Sequence, residues 1–433
     1  MSQELTSLIK TKRYYNELYE IPWRHYQNTP SGSKKLHIGI INVPCEGFGD
    51  IIVCQTFYEY LRCWYPKHKL TVCSTTPEKF KKLGYKTKIT PISVRYGGNA
   101  ECELPNLHYF KKKDKPKQDF DIIISIPIIN YQFDIKLFQK FIPYANLFNT
   151  FTVSEYNGYV PPYTFPIGVG DNQLGLLLNP MKLPKQTLIE KPFAVAYLQP
   201  PDISGGVWGV HCRPCFLSFI ELLGKKYSKK HPIFQVVIQQ WIVNDLHSSS
   251  FFKQQLKQVI TKYYPNVWIL GNDHNDHFFL GKGNSIILRA DILPQPRPTF
   301  ISLMKDSVED ILVTGDQSIT DCLSNCKRKH IWYQIAPWKT DFAKALSKEI
   351  GDRNLSNFRT SCGTLRGMNQ TIDYRPLLQK NDFRKLGKHR MDAIVNFTLC
   401  KDNFKDYMDI VLHSRKKEAV IQKLKKLKYT LTI

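Results

Sequence analysis

The pattern of apolar and polar positions near the start of the chain predicts a strand, a helix and a second strand. Residues 36–43 (LHIGIINV) form an apolar run rich in isoleucine and valine, which is typical of a strand buried on both faces. Large apolar residues then recur at helical spacing from Ile51 to Trp64, and Pro66 ends the helix. Residues 69–75 (KLTVCST) are strand-like again. A right-handed crossover makes the two strands parallel, which places the turn before the helix at the carboxyl edge of the sheet.

A second and longer series of the same kind begins at Pro192. The predicted strands are 193–198, 234–238, 267–271, 286–288, 310–314 and 331–335, and the predicted helices are 214–226, 252–264, 299–306 and 319–326. Strands that alternate with helices in this way are typical of a doubly wound α/β domain. The predicted fold class is therefore α/β, with two Rossmann-like doubly wound domains.

The chain divides into four predicted segments. Residues 1–35 are a lead-in, 36–190 and 191–380 are the two Rossmann-like domains, and 381–433 are a helical C-terminal tail. The amphipathic spacing of the tail favours a packed or surface helix over a nucleic-acid-binding arm. In the first domain, residues 119–127 (DFDIIISIP) predict another buried strand that ends at its proline.

Positive charge is the unusual feature of the composition. Of 433 residues, 61 are lysine or arginine and 37 are aspartate or glutamate, which gives a formal net charge of +24. Such a surface favours anionic partners, whether nucleic acid, an anionic surface or phosphorylated substrates, and it equally suits a lysine-rich protein that only needs to stay in solution. Hydrophobic residues make up 42% of the chain, which excludes an intrinsically disordered protein.

Cysteine usage and hydropathy predict a cytoplasmic protein without a transmembrane segment. Eleven cysteines, an odd number, are scattered through predicted strands and helices, which favours reduced thiols. The N-terminus has no apolar signal core, and no stretch approaches the roughly 20 apolar residues of a membrane span. The motif Cys212-Arg213-Pro214-Cys215 has no second half with zinc-ligand spacing, so a packed helix start is favoured over zinc or redox chemistry.

Two glycine-containing turns, one in each predicted domain, follow a buried strand and open a helix. They are residues 47–50 (GFGD) and 315–318 (GDQS). Each turn would present free N–H groups and the positive end of a helix dipole at a carboxyl sheet edge, an arrangement that suits phosphate.

In the second turn, Gly315 would let a diphosphate approach the backbone, and Ser318 would donate its hydroxyl. Asp316 and Gln317 would orient a ribose or cap the helix, and a purely structural N-cap role for Asp316 and Ser318 is the alternative. Lys339 follows the next predicted strand and would lie at the same edge.

In the first turn, Asp50 is the candidate general base. A carboxylate at the start of a helix is stabilised as the anion, which suits a base that must be ionised. Glu46 is the alternative base, and an N-cap role for Asp50 is the structural alternative. Gly47 and Gly49 would line the acceptor side of the site.

Other basic side chains are candidates for holding phosphate oxygens. Arg213, Arg289 and Arg297 lie in predicted loops or helix starts where a bidentate clamp is feasible. His274 and His277 resemble a metal cluster, but no third ligand can be placed by spacing, so a solvated loop is favoured and no metal is expected.

Together these motifs resemble a GT-B glycosyltransferase, in particular the heptosyltransferase-like branch. Residues 47–52, the helix that follows and the strand at 70–72 are similar to the opening glycine-x-glycine-aspartate signature of that branch. Residues 310–323 look like its donor-phosphate turn and helix. The chain departs from the branch at residues 317–322 (QSITDC), where the usual helix carries a histidine, and Arg213 is only a substitute for the lysine of its basic loop.

The resemblance implies a two-domain enzyme with a cleft between the carboxyl edges of two sheets. It implies an acceptor in the first domain, a nucleotide-sugar donor in the second, and transfer that inverts the anomeric carbon without a metal or other cofactor. Asp50 matches the general base of the branch, and residues 315–318 match its donor-phosphate turn. The acceptor would be a glycan, a lipid or a protein.

Two other functions stay open from the sequence. One is a sugar-nucleotide epimerase on the same two-domain scaffold. The other is a catalytically inactive basic scaffold that binds nucleic acid or another polyanion through its lysine-rich surface.

Overall fold

Parallel strands built from isoleucine- and valine-rich runs organise both halves of the chain in a computed structural model of the protein. The structure describes residues 34–44, 48–92, 95–96, 107–109, 120–128, 150–158, 164–185, 188–200, 212–272, 275–326, 329–335, 339–351, 366–367 and 375–399. Residues 1–33 of the lead-in predicted over 1–35, the loop at 201–211 and the tail beyond Leu399 lie outside these ranges.

The described residues form two units. The first contains the residues up to Leu177 together with those from Asn381 onward, and the second contains Leu178–Lys380 grouped with Lys82–Gly84. This grouping divides the chain after Leu177, whereas the sequence predicted a division after residue 190.

The first unit contains eight strands and three helices in the described ranges. The strands are β1 (His37–Asn42), β2 (Lys69–Ser74), β3 (Ile89–Pro91), β4 (Arg95–Tyr96), β5 (Leu107–Tyr109), β6 (Ile122–Ile128), β7 (Thr150–Ser154) and β8 (Thr164–Phe165). The helices are α1 (Gly49–Trp64), α2 (Pro77–Lys82) and, from the end of the chain, α10 (Phe383–Leu399).

Six of these strands form one parallel sheet in the order β3-β2-β1-β6-β7-β8. Counted along the sheet this is the Rossmann order 3-2-1-4-5-6, because the chain winds outward from β1 in one direction and then from β6 in the other. The point where the direction reverses lies between β1 and β6. Ligands of open α/β sheets bind outside the carboxyl ends of the strands at such a point.

Pro127 lies inside β6, although the sequence predicted that this proline ends the strand. The register between β6 and β7 shifts between Ser125 and Ile128, so the proline coincides with a bulge. A bulge removes the ladder hydrogen bond that proline cannot donate, which is why the strand continues through it.

Helix α10 packs on α1 through aromatic rings. The Phe383 ring is fully buried and lies 5.8 Å from Phe57 and 6.1 Å from Tyr60, centroid to centroid. The hydroxyl of Tyr65 donates to Oδ1 of Asp392 at 2.6 Å. The described part of the predicted tail is therefore a structural element of the first unit.

Replacing Phe383 by leucine should destabilise the first unit by about 1 to 2 kcal/mol, because a smaller side chain leaves a cavity among the rings of α1. Urea unfolding followed by tryptophan fluorescence measures the loss. Leu386→Ala is the control, since this side chain on the same helix is 37% exposed and its truncation should cost less. Equal losses in the two variants would contradict the packing role of Phe383.

The second unit contains eight strands and seven helices in the described ranges. The strands are β9 (Phe193–Ala196), β10 (Ile233–Val237), β11 (Asn266–Leu270), β12 (Asn275–Phe279), β13 (Ser285–Arg289), β14 (Asp310–Thr314), β15 (His330–Gln334) and β16 (Arg366–Gly367). The helices are α3 (Cys212–Tyr227), α4 (Gln240–Ser248), α5 (Ser250–Ile260), α6 (Arg297–Asp306), α7 (Asp316–Asn325), α8 (Thr340–Ile350) and, in addition, the short α9 (Arg375–Lys380).

The second sheet has the order β12-β11-β13-β10-β9-β14-β15-β16 and is parallel except for its two edge strands. The chain winds from β9 to β10 on one side and later to β14 on the other. The reversal therefore lies between β9 and β14, at whose carboxyl ends a ligand site is expected. The predicted α/β fold class is confirmed by the two mainly parallel sheets.

Alternate residues of β9 face opposite sides of this sheet. Ala194 and Ala196 belong to a buried core that includes side chains of α3, α4 and α5. Tyr197 follows on the other face, and its ring lies 5.0 Å from Phe300 of α6. Helices α6 and α7 pack against each other, α6 against β9 and α7 against β14 and β15. The second sheet is thus covered from both sides near its centre.

Several parts of the second unit differ from the sequence predictions. Gln240–Ser248 and Thr340–Ile350 form helices where none was predicted. His277 lies in β12 and not in a solvated loop, and its ring stacks on Trp268 with centroids 3.9 Å apart. His274 lies outside the described residues.

In the parts of the chain that the structure describes, no helix has the length and apolar character needed to cross a membrane.

Candidate functional site

The turn after β14 has a backbone that only glycine adopts readily. Gly315 has φ 80° and ψ 144°, and it occupies the N-cap position of α7 without a side-chain cap. A Cβ atom placed on Gly315 would meet no heavy atom within 4 Å. The turn therefore borders open space at the end of a helix whose first N–H groups have no partner within the helix.

The N-cap alternative for Asp316 and Ser318 is wrong, because Gly315 holds that position. The main chain of α7 starts with Ile319 N donating to Gly315 O at 3.3 Å. Asp316 is instead the first helical residue, and it is 5% exposed.

The Asp316 carboxylate is neutralised by a lysine from the following loop. Its Oδ2 atom lies 2.8 Å from Nζ of Lys339, and its Oδ1 atom accepts from the hydroxyl of Tyr333 at 3.1 Å. The Lys339 side chain is only 16% exposed. Asp316 thus fixes an ammonium group beside the helix N-terminus, and direct contact of its own carboxylate with an anion would be repulsive.

Gln317 and Arg297 share one buried carboxylate. Gln317 Nε2 donates to Oδ1 of Asp321 at 3.0 Å. The Arg297 guanidinium forms two bonds with the same group, Nε to Oδ2 at 3.0 Å and Nη2 to Oδ1 at 2.6 Å. The side chains of Arg297 and Asp321 are 3% and 6% exposed. Arg297 therefore holds a protein carboxylate, and the expected phosphate clamp is not formed by it.

Arg213 and Arg289 also bind carboxylates of the protein. Arg213 Nε donates to Oδ2 of Asp245 at 2.7 Å, and this hydrogen bond raises the pKa of Arg213. Arg289 donates from Nε and Nη2 to Asp291, each at 2.8 Å. The glycine-rich loop that precedes Arg213 lies outside the described residues. Of the basic residues predicted to bind phosphate, Lys339 is thus the one placed beside the Gly315 turn.

Three glutamines extend hydrogen bonding beyond the ends of the strands. Gln334 Oε1 accepts from the N–H of Gln199 at 2.7 Å, and Gln239 Oε1 accepts from the N–H of Leu198 at 2.8 Å. Thr314 Oγ1 donates to Gln334 O at 3.3 Å. These hydrogen bonds connect the carboxyl ends of β9, β10, β14 and β15. They stabilise the edge of the sheet from which the Gly315 turn leaves. The signal in the sequence is a glutamine at or shortly after the end of β9, β10 and β15.

The first turn places Asp50 in the opening turn of α1. The N-cap of this helix is Phe48, without a side-chain cap, so an N-cap role for Asp50 is wrong. Asp50 is half-buried, and Gly49 beside it is exposed with no atom within 4 Å of an added Cβ. Glu46 and Gly47 lie outside the described residues.

A buried asparagine fixes the start of α1 on its sheet. Asn42, at the end of β1, donates from Nδ2 to the carbonyl of Ile126 at 2.9 Å and to that of Asp50 at 3.4 Å. Its Oδ1 atom accepts from Oγ of Ser74 at 2.8 Å. One side chain thus joins the ends of β1, β2 and β6 to the helix that carries Asp50.

Burial raises the pKa values of three cysteine thiols. Burial, and next to it the charge of Asp50, raise the pKa of Cys54. Burial raises the pKa of Cys73 to about 12. Burial likewise raises the pKa of Cys212, the first residue of the Cys-x-x-Cys motif.

Within the described ranges, no group of three His, Cys, Asp or Glu side chains is arranged to hold a metal ion.

Comparison with solved structures finds several similar chains, and a glycosyltransferase is among them. No family model matches the chain, and no curated protein matches it. A crystal structure of a glycosyltransferase from Rickettsia africae ESF-5 is 13% identical in sequence and superposes with a TM-score of 0.36, over 88% of this chain and 100% of that chain. A superposition of this quality carries no functional information.

Proposed function

We propose that the chain is a GT-B-type glycosyltransferase that transfers a sugar from a nucleotide-sugar donor to a hydroxyl acceptor. The observation that carries the proposal is the Gly315 turn, where a glycine-only backbone borders open space at a helix N-terminus and Asp316 holds the Lys339 ammonium beside it. Backbone N–H groups, a helix dipole and a fixed cation together suit a diphosphate.

The leaving group of such a donor is a nucleoside diphosphate. As the bond between the anomeric carbon and the diphosphate oxygen breaks, negative charge grows on that oxygen, and preorganised donors stabilise it. The N–H groups at the start of α7 and Lys339 would supply this stabilisation without a metal. Asp50 would take the proton of the acceptor hydroxyl, and the resulting oxygen would attack the anomeric carbon from the opposite face with inversion.

A basic scaffold that binds polyanions is the second candidate, because the formal net charge is +24. Such binding would be nonspecific and would weaken steeply with salt. A donor site would instead respond to one nucleoside diphosphate and depend on the Gly315 turn.

A thermal-shift screen with nucleoside diphosphates tests the proposal. At a ligand concentration near 100 times Kd, a ligand that binds only the folded state stabilises it by about 2.7 kcal/mol. We expect one nucleoside diphosphate to raise the Tm of the wild type and to have no effect on Gly315→Val, whose side chain would fill the space beside α7.

Gly351→Val is the matched control. Gly351 also has a positive φ of 70° and no atom within 4 Å of an added Cβ, but it ends α8. Both substitutions introduce backbone strain of about 1 to 3 kcal/mol, because each glycine has a positive φ. Only Gly315→Val should lose the nucleotide response. A response to every polyanion that disappears at high salt, without a nucleotide preference, would support the scaffold instead.

A further inference from the structure

Helices α6 and α7 both begin at the carboxyl edge of the second sheet. Helix α6 leads into the start of β14, and α7 leaves from its end, so the two helices run in the same direction. Arg297 is the first residue of α6, and Asp321 lies in the second turn of α7. The buried ion pair between them joins the two helices within two turns of Gly315, the N-cap of α7.

A cation at the start of α6 is unfavourable for that helix itself. The positive end of the dipole lies there, and no acidic residue in the first turn of α6 offsets it. Arg297 nevertheless occupies this position with 3% exposure. Its placement is therefore explained by the carboxylate of Asp321 on the neighbouring helix.

Stability alone does not require this ion pair. Removing two charges from water is costly, and apolar residues of similar volume often stabilise as well as a buried pair or better. The bidentate guanidinium does supply fixed geometry, because two parallel bonds set the angle between the groups they join. Gln317, in the first turn of α7, adds a third bond to the same carboxylate at 3.0 Å.

We infer that Arg297 and Asp321, acting through Gln317, are positioning residues that hold the first turn of α7 in the orientation needed to bind the donor diphosphate. This inference rests on the proposed function. The Arg297 guanidinium is buried against Asp321 and cannot reach a ligand outside the turn, so its contribution to the donor site is geometric. Lys339 remains the cation beside the turn.

Two variants separate orientation from folding. Gln317→Leu removes the hydrogen bond between Asp321 and the first turn of α7 without creating a buried charge. The double variant Arg297→Met with Asp321→Leu replaces the pair by apolar side chains and avoids the lone buried charge that either single change would leave. We expect both to keep a Tm near that of the wild type.

Their affinity is measured by calorimetric titration with the nucleoside diphosphate that stabilises the wild type. We expect Kd to rise about 5- to 10-fold in each variant, as expected when one bond that orients a site is lost. Arg297→Lys, which keeps the charge but loses the bidentate geometry, should weaken binding as well. Lys226→Met is the control, because it removes an ion pair with Asp310 at the amino end of β14. It should lower Tm and leave Kd unchanged.

Nucleotide affinity within twofold of the wild type in Gln317→Leu and in the double variant would overturn the inference while leaving the proposed function intact. If Arg297→Lys and Gln317→Leu both bind with wild-type affinity and only the double variant binds weakly, the effect is one of charge. That result would also overturn the inference. A wild type that binds no nucleoside diphosphate would overturn the proposed function and this inference with it.

Discussion

Replacing Asp50 by asparagine is expected to lower turnover at least about 10²-fold while nucleotide binding stays unchanged, since a positioned general base contributes about 10² to 10⁴. Asparagine has nearly the same shape, and the carbonyl of residue 50 would still accept from Asn42. The change therefore removes the proton acceptor and leaves the start of α1 in place. Release of nucleoside diphosphate from a donor measures turnover, and calorimetry measures binding.

Glu78→Gln is the matched control for this prediction. Glu78 lies in the first turn of α2, the helix that follows β2 of the same sheet, and is also a carboxylate near a helix start. Its replacement should leave turnover unchanged. If Asp50→Asn turns over like the wild type, the base assignment is wrong, and loss of activity in Glu46→Gln would then assign the role to the alternative.

The second large effect is expected in stability, from Asp310→Ala at the start of β14. Asp310 is 1% exposed. It accepts from the Tyr227 hydroxyl at 2.6 Å, Lys226 Nζ at 2.7 Å and Trp332 Nε1 at 2.9 Å. Alanine would leave the hydroxyl and the indole N–H without an acceptor, at a cost of about 2 to 4 kcal/mol in the free energy of unfolding. Urea unfolding at neutral pH measures it.

The same residue predicts an acid-sensitive component of stability. Burial alone would raise the pKa of Asp310, but hydrogen bonds from His330, Lys226, Tyr227 and Trp332 outweigh it and hold the pKa well below its ordinary value. As the pH falls, Asp310 is therefore protonated at a higher pH in the unfolded chain than in the folded protein. The stabilisation is complete above the unfolded pKa near 4 and is lost as pH falls below it.

Asp310→Ala should accordingly lose less stability than the wild type when the pH is lowered from about 5 to 3, because it lacks the group whose pKa shifts. Asp341→Asn is the control, since Asp341 is 80% exposed and its ion pair with Lys344 should contribute within about 0.5 kcal/mol. Equal acid sensitivity in the wild type and Asp310→Ala would contradict the account of this cluster.

The parallel strands were predictable because their signal is local. Each is a short apolar run bounded by turn residues, and the predicted strand at 310–314 coincides with β14. Helix α4 (Gln240–Ser248) was missed because it is short. Its nine residues give little periodicity, and no glycine or proline marks its ends. The prediction that β6 ends at Pro127 was wrong because a bulge accommodates the proline, and the sequence does not reveal the bulge.

The two turns were predictable for the same reason, whereas the partners of their side chains were not. Gly315 follows a buried strand directly, and its position needs no distant residue. The partners of Asp316 and Arg297 are Lys339 and Asp321, which neither periodicity nor spacing identifies. Arginines that looked suited to phosphate proved to bind carboxylates, because a lone arginine in a sequence carries no information about its counter-ion.

The proposed function depends on a donor diphosphate that binds at the Gly315 turn. The most direct test is a crystal structure of the protein with the nucleoside diphosphate that raises its Tm. The account predicts phosphate oxygens within hydrogen-bonding distance, about 2.7 to 3.2 Å, of N–H groups in the first turn of α7 and of Lys339 Nζ. A diphosphate bound elsewhere, with the space beside Gly315 empty, would contradict it.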